Sequence, residues 1–162
     1  MATILKRATT DLVAIAWIKG LVGDIVATTV PRLPKTGIPA WAETGFVTVH
    51  TSSGGANMYV PMRMPVVLVD CWAASPNSVK PPWNKATALA ETIVAGCLDH
   101  QNNPRLLTLP AGYPHARVLS AYTVQEPRRP VIPGGGEASA DLGSWARIVL
   151  ALQLHWISVG GA

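Results

Sequence analysis

Apolar and polar positions along the chain follow two rhythms, one with helical spacing and one alternating. Between about Asp11 and Leu21, Leu12, Ile15, Ala16 and Lys19 share one face, with Ile18 and Val22 beside it, which predicts a first helix. Thr10 or Asp11 can cap it, because either side chain accepts a bond from an orphan backbone N–H. Gly20 and Gly23 weaken and then stop it. Trp17 sits at the rim of that face, as core or as a contact residue. The clearest helical period runs from Trp83 to Asp99, where Ala86, Leu89, Ala90, Ile93, Val94, Cys97 and Leu98 recur at three and four residues. Pro81 and Pro82 suit its start, where a missing N–H costs nothing. A helix so one-sided must cover something, most simply a sheet.

Alternation marks the strands. In Gly45–His50, Phe46, Thr48 and His50 point one way and Val47 and Val49 the other. In Met64–Trp72, Val66, Leu68, Asp70 and Trp72 oppose Val67, Val69 and Cys71. His115–Thr123 and Ser144–Ile157 read as the last two strands, the latter with Ile148, Leu150, Leu152, Leu154 and Trp156 on one face. A short strand, Ile25–Val30, ends at Pro31. The stretch to Pro39 is a rigid connection. Ser52-Ser53-Gly54-Gly55 is read as a turn or loop. The prolines and glycines from Pro127 to Gly136 argue for a long flexible loop at about 126–141. The order is helix, three strands, helix, two strands. It predicts one α+β domain over 1–162, a mainly antiparallel or mixed β-sheet flanked by two main helices.

Composition adds a hint about society. Hydrophobic residues make up 49% and charged residues 14%, against about 25% charged in ordinary globular chains. A surface so poor in charge suits a subunit packed against copies of itself, although an Ala- and Gly-rich composition accounts for part of the signal. The net charge of +4 is scattered. No basic stripe marks a dedicated nucleic-acid binder. Two cysteines make no disulfide framework, and no apolar run reaches membrane-spanning length. The expectation is a protein made in the cytoplasm, reduced, with no membrane.

Chemistry is sparse. His50, His100, His115 and His155 have no metal-ligand spacing, and Cys71 and Cys97 form no CxxC pair. Both cysteines read as packing. No GxSxG elbow or phosphate loop occurs. Asp70 is the one acid in an apolar strand. Its readings are a salt bridge, a backbone contact, a subunit face or, less simply, a catalytic carboxylate. The expectation is no catalytic residue, metal or cofactor. Trp41 and Trp83 sit beside loops within reach of a partner, and tryptophan is enriched at contacts.

Several segments, in order, resemble tail terminator (tail completion) proteins of long-tailed siphophages of actinobacteria. They are Ala16-Trp17-Ile18-Lys19, Ile25–Pro31, Phe46-Val47-Thr48-Val49, Met64–Ala73, Lys80–Ala86 with Leu89-Ala90-Glu91, and Trp145–Leu154. The resemblance spans nearly the whole chain. It implies a structural virion protein at the head-proximal end of the tail. Such proteins form a hexameric ring that caps the tail tube, stops its polymerisation and offers a surface for neck and head completion proteins. Phage DNA passes through the lumen without sequence-specific binding. The family brings no catalytic residues. Trp41, Asp70, Trp72, Trp83, Arg128 and Arg129 are the expected interface residues. A neck adaptor ring, a tail tube subunit and a small enzyme with an unrecognised site are the competing readings.

Overall fold

A computed structural model describes residues 7–35, 37–131 and 145–160. Eight elements follow one another: α1 (Thr10–Val22), β1 (Val26–Ala27), β2 (Phe46–Ala56), β3 (Met62–Ala74), α2 (Trp83–Leu98), β4 (Arg105–Leu107), β5 (His115–Arg128) and β6 (Trp145–Val159). The strands form one sheet in the order β1-β2-β3-β6-β5-β4. Only β1 and β2 pair in parallel; every other pairing is antiparallel. The α+β expectation holds.

Side-chain alternation gives the sheet two unlike faces. Val47, Val49, Val67, Val69, Cys71, Ala73, Ile148, Leu150, Leu152, Leu154 and Trp156 point to one side and are buried beneath the helices. Val13, Ala14, Trp17 and Ile18 of α1 and Ala86, Ala90 and Ile93 of α2 complete that core. Gly96 is where the helices meet: a Cβ there would lie 2.4 Å from a Leu21 methyl, so a larger residue requires the Leu21 side chain to give way.

Several sequence expectations shift. The helix cap is Thr9, whose Oγ accepts from the Leu12 N–H at 3.4 Å, one residue before the expected Thr10 or Asp11. The buried face of α1 is centred on Val13, Ala14, Trp17 and Ile18 instead of Leu12, Ile15 and Lys19. Trp17, at 0% exposure, decides that rotation, because the largest apolar side chain gains most from burial. Leu98, assigned to the apolar face of α2, lies exposed at its last turn. The Ile25–Val30 strand shortens to Val26–Ala27.

Ser52–Gly55 is no turn. It continues β2, with a register shift between Thr51 and Ser53, and the reversal falls at Asn57–Pro61. There the Asn57 carboxamide oxygen accepts from the N–H groups of Tyr59 (2.8 Å) and Val60 (3.2 Å). Glycine and serine have the composition of a loop, but the antiparallel partner Met62–Val66 holds them extended. The short β4 escaped the alternation because three residues carry too little pattern. The long loop begins later than expected. Glu126, Pro127 and Arg128 still belong to β5, with Arg128 opposite Val149. Residues 132–141 of that loop, and Ser144 of the expected last strand, lie outside the described residues.

Candidate interaction surface

Among the described residues, no helix lies on the second face of the sheet. Its central rows mix apolar and polar residues. Leu68 stands opposite Ala151 and Val66 opposite Gln153, with Val149 beside them. Val66, Leu68 and Val149 are only partly buried by their neighbours. A sheet face with this composition normally packs against something, because strands expose alternate residues to whatever covers them.

At the end of the face nearest the start of β2 lies an aromatic cluster. Trp145 packs edge-on against Trp41 at 4.9 Å and against Trp72 at 6.4 Å, and Trp41 meets Phe46 at 6.1 Å. The Trp72 indole N–H donates to Thr48 Oγ at 3.0 Å, which accounts for a buried threonine in an apolar strand. Next to it, Asp70 is 6% exposed and receives the Arg147 guanidinium at 2.9 Å. The same guanidinium lies 5.0 Å from the Trp72 ring centre. Arg147 Nε is buried without a hydrogen-bond partner among the described residues. Further along, Tyr122 donates to Gln153 at 2.6 Å, and Gln153 donates to the Met64 carbonyl at 3.3 Å.

The six residues expected at an interface fall into two groups. Trp41, Asp70 and Trp72 come together in the aromatic end of the open face. Trp41 is buried there, and Asp70 has its partner within the chain. Trp83 and Arg129 meet elsewhere, the Arg129 guanidinium stacking 4.1 Å from the indole centre at the start of α2. Arg128 is exposed at the end of β5. Sequence reasoning missed Arg147 and Trp145. The alternation that placed Asp70 and Trp72 on one face also places Trp145 and Arg147 together, and a lone acid beside a lone arginine on adjoining strands is a pairing signal.

Elsewhere the polar side chains are thinly spread. A cleft of about 720 Å³ is lined by Ile38, Ala42, Glu43, Ala74, Asn77 and Lys85, but the Lys85 ammonium already donates to the Ala42 carbonyl at 2.8 Å. Burial pushes the Cys71 thiol up to about 12, with the nearby Asp70 charge adding to it. Burial likewise raises Cys97 to about 11, against an opposing hydrogen bond from Thr123. At neutral pH both stay thiols, the unreactive form. Among the described residues no three of His, Cys, Asp and Glu gather closely enough to hold a metal. No described helix is long and apolar enough to cross a membrane.

No protein-family model matches the chain, and no curated protein sequence matches it. One solved structure with a similar fold is a chain of the virion of a native gene transfer agent particle. It is 15% identical, with 86% of this chain and 83% of that chain covered and a TM-score of 0.46. A likeness this loose carries no argument about function.

Proposed function

We propose that the protein is a structural virion subunit, a tail terminator that forms a ring, caps the head-proximal end of a tail tube and halts its growth. The observation carrying this reading is the second face of the sheet, which among the described residues has no helix on it and keeps Val66, Leu68 and Val149 only partly buried. A face of this kind suits contact with a neighbour, and the sequence resemblance supplies which neighbour. The ring is hexameric in this reading. Its surfaces engage the tube protein on one side and neck or head completion proteins on the other, and DNA passes through the lumen. The exposed Arg128 and the Arg129–Trp83 stack form part of the contacting surface, as do Trp72 and the Asp70–Arg147 pair. The role is architectural, without catalysis or cofactor.

Negative-stain electron microscopy tests the reading, on the purified chain alone and mixed with tail tubes of the same virion. Six-fold rings that sit on tube ends and stop elongation are expected. Rings indifferent to tubes would transfer the protein to the neck, and open-ended filaments would make it a tube subunit. Single particles that never assemble would overturn the structural role.

A further inference from the structure

The two edges of the sheet are almost bare. β1 covers β2 only at Val47 and Thr48, and β4 covers β5 only from Ala116 to Val118. Beyond those contacts, Ser52–Ala56 on one side and Leu119–Arg128 on the other have no further strand beside them among the described residues. Unpaired edge backbone is a template for another strand.

The two edges match in direction and in level. β2, β3, β6 and β5 alternate in direction, so four consecutive antiparallel strands leave β2 and β5 running opposite ways. Copies related by rotation about an axis along the strands keep their directions. A β2 edge set beside a neighbour's β5 edge is therefore antiparallel. The bare stretches also share a row: Ser53 pairs with Val66, Val66 with Gln153, and Gln153 with Tyr122.

Exposed apolar side chains gather at the same two places. The tip of the β2–β3 hairpin carries Met58 at 83%, Tyr59 at 87% and Val60 at 51% exposure. Along β5 and its neighbour β4 stand Tyr122, Val124, Leu119 and Leu106, all exposed. Two complementary patches at opposite edges of one sheet make a head-to-tail contact, which closes into a ring when the rotation allows.

We infer that copies of this chain join by laying the Ser52–Arg63 arm of one against the β5 edge of the next, so that the sheet continues from subunit to subunit. The inference rests on the ring of the proposed function and names the surface that closes it. Tyr59 and its neighbours then cover the next copy's Leu106 and Leu119, and Ser53 faces its Tyr122.

Cysteine pairs in the full chain test this. Residues opposite one another on paired strands have Cβ atoms about 4.5–5.5 Å apart, close to disulfide reach. Ser53→Cys with Tyr122→Cys takes the level register. Ser53→Cys with Val124→Cys takes a stagger of two residues. Both sites are exposed, so folding tolerates the changes. Mild oxidation is expected to turn at least one double variant into a ladder of covalent oligomers on a non-reducing gel. Each single variant should stay at the monomer band, since a head-to-tail contact brings unlike sites together. Dimers from a single variant would mean a two-fold contact and overturn the inference. Six-fold rings in the microscope with no ladder from either pair would overturn it too, while leaving the terminator reading intact. Loss of rings in the unmodified chain would sink both.

Discussion

Asp70 and Arg147 are the costly pair at the scale of single residues. Asp70 is only 6% exposed, and the Arg147 guanidinium meets its side chain at 2.9 Å. Replacing Arg147 by Met leaves the Asp70 carboxyl group buried without its partner. The expected cost is about 2–3 kcal/mol, below the full value for a deeply buried pair because the Arg147 side chain is 35% exposed. The double variant Asp70→Leu, Arg147→Met should recover most of that loss, and urea unfolding of all four proteins measures the coupling. An uncoupled, additive result would mean the pair is incidental. Cys71 makes a second, pH-dependent prediction. Its thiol is raised from 9.0 to about 12 in the folded protein, so the unfolded chain loses the proton first. Its contribution is complete below pH 9 and is lost as pH rises from there toward 12. Cys71→Ala should therefore flatten the fall in stability across that window, read from thermal melts at stepped pH.

The elements show how much was legible beforehand. The two long helices and the four long strands were readable as elements, because each repeats its period often enough to be recognised. Residue spacing put Ile148, Leu150, Leu152, Leu154 and Trp156 on one face, and that face is the core side. The face of α1 was misread because nearly every position from Leu12 to Ile18 is apolar, so spacing alone cannot choose a direction. Only the partner surface does, and it selected Trp17. The hairpin arm failed for the opposite reason. Ser52 to Gly55 carries no apolar signal, and its extended form is imposed by the strand beside it. Gly54 is fixed there at φ +114°, with the Met64 carbonyl oxygen and the Pro65 Cα 2.5 Å from where a Cβ would stand. The candidate surface was half legible. Asp70 and Trp72 stood out in sequence, while their partners Arg147 and Trp145 come from a strand far along the chain. A test of helix packing belongs here. Gly96→Val should push α1 off α2 and cost about 1–3 kcal/mol, seen as a lower unfolding midpoint.

For the whole molecule, the contrast between the covered and the open face decides behaviour. A charge placed on the open face should spare the fold and spoil assembly. Leu68→Lys is expected to keep a cooperative melt while abolishing rings in size-exclusion chromatography and microscopy, because its cost falls on the contact. Unfolding of Leu68→Lys, or rings unchanged by it, would deny that this face takes part. The order of the strands carries one more consequence. β6 lies in the middle of the sheet, between β3 and β5, although it is the last of the described strands in sequence order. While the chain is being synthesised, β3 and β5 each wait with a bare inner edge, and most of the core residues on one whole strand are missing. The sheet can be completed only when Trp145–Val159 leaves the ribosome and slides between them. Subunits therefore become competent to meet one another only once β6 has been made, and a chain that stops short of it has no finished sheet to offer a growing particle.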